Sequence, residues 1–203
     1  DADLVAIVGD LVDGTVDKLG HAAEPLQDLV SREGSFFVTG NHEYFVPDTM
    51  PWLRELDRLG VTPLRNENTL IRRGAAALHI AGVNDLAGEE HGDPPDYDRA
   101  LAGIDRRNPT VLLAHQPVMV EQAAARGVDL QLSGHTHGGQ VCLPGSKALV
   151  TNCGIDRDRV QGLHDFDGMA MHVSNGLGTS KYAPVRLFCR PSATLLRITE
   201  KDA

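Results

Sequence analysis

The stretch Val128-Asp129-Leu130-Gln131-Leu132-Ser133-Gly134-His135-Thr136-His137-Gly138-Gly139-Gln140 decides how the rest of the chain is read. Its first five residues alternate apolar and polar, which is the period of a β-strand. Two histidines one residue apart follow at the strand's mouth, where both can turn toward a common point. The glycines on either side admit backbone conformations that a Cβ forbids. Neutral imidazole is a favoured ligand for zinc, iron and manganese. A lone His-x-His pair is weak evidence for a metal, and its weight here comes from recurrence.

The same arrangement occurs four times. Asp3-Leu4-Val5-Ala6-Ile7-Val8-Gly9-Asp10 is a short apolar run that ends on a carboxylate. Ser35-Phe36-Phe37-Val38-Thr39 is a second buried strand, and it opens into Gly40-Asn41-His42-Glu43. Thr110-Val111-Leu112-Leu113-Ala114 is a third, ending at His115-Gln116-Pro117. The Val128 strand with His135 and His137 is the fourth. In α/β sheets, sites gather at the carboxyl ends of strands. Four strand ends that each carry a metal-capable side chain therefore point to one shared site. Carboxylate, amide oxygen and imidazoles without thiolate form a nitrogen–oxygen donor set, suited to manganese, iron or zinc and less to magnesium. A carboxylate can bridge two cations, and a pair of metals roughly 3.5–4 Å apart clamps an in-line displacement at phosphorus.

The rest of the chain sets bounds. The 203 residues suit one domain, with 41% hydrophobic and 23% charged residues. A net charge of −9 argues against a general affinity for nucleic acid or an anionic membrane surface. An anionic substrate then needs local positive charge, which a metal can supply. Cys142, Cys153 and Cys189 show no Cys-x-x-Cys spacing. We expect three free thiols, with a Cys142–Cys153 bridge as the alternative in an exported protein. No apolar run approaches the roughly 18 residues that span a membrane.

Between the strand ends, residues 13–31 read as helical in pieces, interrupted by Gly20 and Pro25. A helix begins after Asp48 or Thr49, takes Pro51 in its first turn, stops at Gly60 and puts Leu53, Leu56 and Leu59 on one side. Residues 69–72 and 76–81 are β-like, and Asp93-Pro94-Pro95-Asp96 reads as a surface loop. A short helix covers 119–126, with Gly127 as its stop. Residues 169–174 and 193–199 alternate like strands of an outer sheet.

Gly9-Asp10, Gly40-Asn41-His42-Glu43, His115 and Gly134-His135-Thr136-His137 resemble, in order and spacing, successive blocks of the calcineurin-like metallophosphoesterases. The longer strings Gly9-Asp10-Leu11-Val12-Asp13-Gly14, Leu112-Leu113-Ala114-His115-Gln116-Pro117, Ser133 to Gln140 and Asn175-Gly176-Leu177-Gly178-Thr179 resemble a bacterial subgroup often carried behind an N-terminal membrane segment. The resemblance implies an α/β fold, a four-layer α-β-β-α sandwich of two mixed β-sheets. It implies two metal ions, with Asp10 bridging them, Asn41, His115 and His135 completing one position, and His137 serving the other. It implies that His42 contacts the scissile phosphate and protonates the leaving oxygen, while Glu43 orients its loop. The expected activity is hydrolysis of a phosphate mono- or diester by metal-activated hydroxide. The substrate would be a phosphorylated small molecule or a lipid-related compound, and membrane association of the intact protein is in keeping with the subgroup.

One family block has no counterpart. The family's first Asp-x-His precedes the Gly-Asp block by some tens of residues, and here Gly-Asp stands at residues 9 and 10. The chain thus reads as a metallophosphoesterase domain (1–203) without that strand, so that one metal is expected to bind firmly and the second weakly. Among the other histidines, His164 is the one that can reach the cleft. His21 and His91 fall on helix or loop, and His79 and His172 within strands. Asp13 and Asn84-Asp85 are pocket-lining or solvated loop residues. The alternative function is a non-catalytic scaffold or protein-binding module of the same fold. A metallo-β-lactamase pattern is disfavoured, because Gly138-Gly139 follows the histidine pair where that pattern wants Asp and His.

Overall fold

The computed structural model describes residues 2–145, 147–151, 153–180 and 184–199. The first half of the chain builds a three-stranded sheet from β1 (Val5–Ile7), β2 (Ser35–Phe37) and β3 (Val61–Pro63), in that order and parallel throughout. Two helices serve it, α1 (Val16–Ala23) and α2 (Met50–Arg58). The second half builds a six-stranded sheet. Its strands are β4 (Glu67–Arg73), β5 (Ala76–Gly82), β6 (Thr110–Leu113), β7 (Leu130–Ser133), β10 (Gly162–Phe166) and β11 (Met169–Val173). Their order is β10-β11-β7-β6-β5-β4, with parallel pairs in the middle and an antiparallel hairpin at each edge. A small ribbon, β8 (Cys142–Leu143) with β9 (Lys147–Ala148), lies beyond the histidine turn.

Strand periodicity explains the layers. On β2, Phe37 points one way, into a cluster with Leu53 and Leu56 of α2, whereas Phe36 points the other way, toward Ile80, Val111 and Leu113 of the large sheet. On β6, Leu112 faces Tyr97 and Ala100 of α3 (Tyr97–Ala100) and Val120 and Ala123 of α4 (Val120–Ala124), while its neighbours Val111 and Leu113 face the small sheet. Three apolar clusters therefore separate four layers, helix–sheet–sheet–helix, as expected from the sequence. The mixed pairing belongs to the large sheet.

Several local expectations change. Gly20 does not break α1; it is buried within it, and the break comes at Pro25, which opens a 3-10 turn over Glu24–Asp28. Asp48 rather than Thr49 supplies the side-chain cap of α2, its Oδ1 accepting the Met50 amide at 2.9 Å. Residues 169–174 do not lie in an outer sheet, because β11 pairs directly with β7. Residues 193–199 form no strand. Alternation alone does not make one, and among the described residues the ladder contact nearby is the isolated bridge Gly176–Ser192. All three cysteines are free, and Cys142 sits in a cluster with Cys189 rather than bridging to Cys153.

Candidate metal centre

Each sheet contributes two neighbouring strand ends. β1 runs into Gly9-Asp10 and β2 into Gly40-Asn41-His42 on the small sheet. β6 runs into His115 and β7 into Gly134-His135 on the large one. Because the two sheets stack face to face, the four ends meet at one rim. His115 reaches from the large sheet to the small one: its Nδ1 lies 2.6 Å from the Val8 carbonyl oxygen. The approach leaves no room for side chains at two positions. A Cβ on Gly9, whose φ is 89°, would lie 2.7 Å from His115 Nδ1, and one on Gly40 would collide with Asp10 Oδ1.

Around His115 Nε2 the donor atoms gather. Asp10 Oδ2 lies at 3.1 Å, Asn41 Oδ1 at 3.2 Å and His135 Nδ1 at 3.1 Å. Candidate ligand atoms of Asp10, His115 and His135 all fall within 4.8 Å of one another. Proton counting shows what the cluster wants. The Val8 carbonyl only accepts, so His115 Nδ1 carries a proton. Nε2 of the neutral ring is then a lone pair facing a carboxylate oxygen and an amide oxygen, which are also acceptors. Such a convergence of acceptors suits a cation. Without a metal, a second ring proton serves. Burial alone pulls the His115 pKa down, but the Asp10 carboxylate outweighs it and raises the ring to about 9. Burial likewise pushes Asp10 up, and the His115 charge and hydrogen bond hold it well below the usual carboxylate range. Carboxylate, amide oxygen and two imidazoles are a donor set that a divalent ion fits, and it would take the place of that proton.

A second ring of residues holds the first. Glu43 is 1% exposed, and its carboxylate gathers four main-chain amides: Asp10 at 2.9 Å, Leu11 at 2.8 Å, Val12 at 3.3 Å and Gly40 at 2.6 Å. It ties the first loop to the second, so it orients the loops. The His42 amide donates to Asp10 Oδ1 at 2.9 Å, while the ring's Nδ1 meets the Asp13 carboxylate and its Nε2 stays 3.8 Å from Asp10 Oδ2. Asn84 and Asp85 are not solvated loop residues. They are 1% and 0% exposed, and they brace the rim. The Asp85 amide donates to Thr39 Oγ1 at 3.1 Å and its carboxylate accepts from Gln116 Nε2 at 3.0 Å, which joins the ends of β2, β5 and β6.

Not every candidate joins the cluster. His137 stands outside the triad, with its Nδ1 2.8 Å from Gln140 Oε1. His164 does not reach the rim: it lies on the edge strand β10, and its Nε2 donates to the Gln161 carbonyl at 2.7 Å. His79 and His172 are buried packing residues, and His21 and His91 lie exposed at helix ends. The sequence did not single out Gln140 for His137 or settle on Asp13 for His42. In each case the spacing offered a clue, three residues after a metal-capable position, but the partnership depends on the loop's shape.

A family model described as calcineurin-like phosphoesterase matches residues 1–139. A transmembrane protein with metallophosphoesterase domain from Bos taurus is 43% identical over 152 residues, 68% of this chain and 34% of that protein. An uncharacterized metallophosphoesterase of Helicobacter pylori (strain ATCC 700392 / 26695) is 41% identical over 205 residues, 100% of this chain and 52% of that one. Another, from Aquifex aeolicus, is 34% identical and covers 98% of this chain and 74% of its own. The chain spans about a third to a half of the length of the first of these relatives. Among solved structures, the Thermus thermophilus sulfate thiohydrolase SoxB in complex with glycerol aligns with a TM-score of 0.55 at 19% identity, over 84% of this chain and 33% of that one. The Haemophilus influenzae NAD nucleotidase NadN aligns with a TM-score of 0.53 at 18% identity, over 85% and 40%. These two carry the fold alone. The family model over more than half of the residues, and relatives of 34% and 41% identity along nearly all of them, place the chain in the calcineurin-like phosphoesterase family.

Proposed function

We propose that this chain carries a phosphoesterase centre for two metal ions that hydrolyses a phosphate mono- or diester. Membership of the family supports metal-dependent phosphoester hydrolysis at the general level. The observation that carries the finer reading is the meeting of Asp10, Asn41, His115 and His135 at one rim, with lone pairs facing one another. In this reading Asp10 would hold both ions, Asn41, His115 and His135 would complete one position, and His137 would serve the other.

When bound, such ions polarise a phosphoryl group and lower the pKa of water. The chain's own residues do the remaining work. Val8, through its carbonyl, keeps the His115 proton on Nδ1 and so turns Nε2 to the centre. Glu43 holds the Asp10 and Asn41 loops in register. His42 donates from Nδ1 to the Asp13 carboxylate, so it can give a proton from Nε2 to a leaving oxygen as the doubly protonated ring, whose charge Asp13 balances. A phosphorylated small molecule is the substrate class this chemistry suits, and a lipid-related ester near a membrane is the narrower form of the proposal. Among the described residues no helix is long and apolar enough to cross a membrane. Manganese, iron and zinc all match the nitrogen–oxygen donors.

The test is turnover of a chromogenic phosphodiester and a chromogenic phosphomonoester with added manganese. Metal-dependent release that disappears with chelator is expected. No release by either substrate, with metal bound, would turn the reading toward a non-catalytic metal-binding module.

A further inference from the structure

The turn that carries His137 is held by more contacts than a loop needs. His137, Gly138, Gly139 and Gln140 have φ of 51°, 63°, 85° and 49°, four successive residues in the left-handed region, two of them not glycine. Backbone preference does not maintain such a run. The following segments do. Arg186 donates from Nη1 to the His137 carbonyl at 2.9 Å, and Cys189 Sγ lies 3.1 Å from the same oxygen. The Leu187 amide donates to the Gln140 carbonyl at 2.9 Å. A Cβ on Gly138 would come within 2.6 Å of Asn175 Oδ1.

The guanidinium of Arg186 explains the string Asn175-Gly176-Leu177-Gly178-Thr179, to which the proposed function gives no role. Its Nε donates to the Gly178 carbonyl at 2.9 Å, and its Nη2 donates to those of Asn175 at 2.7 Å and Gly176 at 3.3 Å. Wrapped on this one side chain, the loop delivers Ser180, whose amide donates to Gln140 Oε1 at 2.9 Å.

That last bond decides the chemistry of the histidine. The oxygen and nitrogen of a carboxamide are told apart only by their partners. A main-chain amide can only donate, so the Gln140 atom that meets Ser180 is the oxygen. The same atom lies 2.8 Å from His137 Nδ1. An oxygen accepts, so the proton between them belongs to Nδ1. We propose that Gln140 is a positioning residue that fixes His137 as the Nδ1–H tautomer and leaves Nε2 as the ring's open lone pair. The functional sense of this rests on the reading of His137 as a metal ligand, since the nitrogen that binds a metal is set by the hydrogen bond of the other. Arg186 and the 175–180 loop act one step further out, by bringing Ser180 to the carboxamide.

The tautomer is read directly by long-range ¹H–¹⁵N correlation of the metal-free, ¹⁵N-labelled protein near pH 8, with His137 assigned by its loss in His137→Ala. The expected result is Nδ1–H in the unaltered protein. Gln140→Met keeps the length and removes the acceptor, so the ring should revert toward Nε2–H. Gln140→Glu keeps an acceptor and should preserve Nδ1–H. Titration with manganese alone should show affinity about 10–100-fold weaker in Gln140→Met and near the original in Gln140→Glu. Nε2–H in the unaltered protein, or Nδ1–H persisting in Gln140→Met, overturns the inference. If the tautomers behave as expected while His137→Ala and Gln140→Met bind manganese as the unaltered protein does, the inference stands and the ligand reading of His137 falls. Should Gln140→Met fail to fold by circular dichroism, the unaltered protein and Gln140→Glu carry the test.

Discussion

His42 sits one hydrogen bond away from the donor cluster, and that distance defines what its loss should do. Its main-chain amide, which any side chain would keep, is the group that touches Asp10 Oδ1. Its ring is held by Asp13 and stays 3.8 Å from Asp10 Oδ2. Removing the ring in His42→Ala should therefore leave metal content nearly unchanged and lower turnover by about 10²–10⁴-fold, the usual scale of general acid–base assistance. Elemental analysis beside steady-state kinetics separates the two effects. Metal loss in proportion to activity would make His42 a ligand instead. Asp13→Asn should give a smaller fall in turnover, because an amide can still hold the ring through Nδ1 but supplies no charge. Asp10, Asn41, His115 and His135 were legible as a set because each closes an apolar strand. The Asp13–His42 and Gln140–His137 partnerships were not, since each forms only once a loop has folded back on itself.

At the scale of elements, the rim is two loops tied by one buried carboxylate. Glu43 is the second residue of the 3-10 turn His42–Phe45, and from there its side chain reaches back to Gly40 and across to residues 10–12. Four amides then depend on it for acceptors. Burial and the nearby Asp10 raise its pKa, and the amides oppose that rise. In Glu43→Gln, one oxygen becomes an NH2 group, and the Asp10 and Gly40 amides face a donor. Two lost hydrogen bonds to a charged group, at about 1.5 kcal/mol each, predict roughly 3 kcal/mol of destabilisation. For a chain of this size that lowers the melting midpoint by about 6–12 °C. Thermal denaturation of the metal-free protein measures it, with Glu121→Gln on an exposed helix position as the control. A midpoint shift no larger than the control's would show that the loops do not depend on this clamp. Elements with local punctuation were read well. The helix α2 has its cap, proline and glycine in sequence, and the buried strands are unbroken apolar runs. Pairing was not readable, because it depends on residues far apart. That is why alternation at 169–174 does not reveal the pairing of β11 with β7, and why 193–199, with the right alternation, is not a strand.

The whole molecule brings the candidate site together by stacking two sheets, each with two loaded strand ends. Four donors meet at one position: Asp10, Asn41, His115 and His135. The carbonyl of Val8 and the Glu43 clamp preorganise them before any ion arrives. In the proposed two-ion reading, the second position would have Asp10 and His137 as its donors among the described residues, and His164, the histidine with the best claim to join them, is turned to Gln161. Metal sites in proteins usually offer three or four ligands, and two seldom hold an ion against water. The 203-residue chain is therefore expected to keep about one ion after desalting and to take up a second only in excess metal, with activity rising as the second binds. Asp10→Asn should lose both, because an amide brings no charge to either position, whereas His137→Ala should keep the first. Elemental analysis of the desalted protein and of these two variants gives the count. Two ions retained by the unaltered chain would mean that further donors complete the second position, and equal losses in the two variants would remove the bridging role from Asp10.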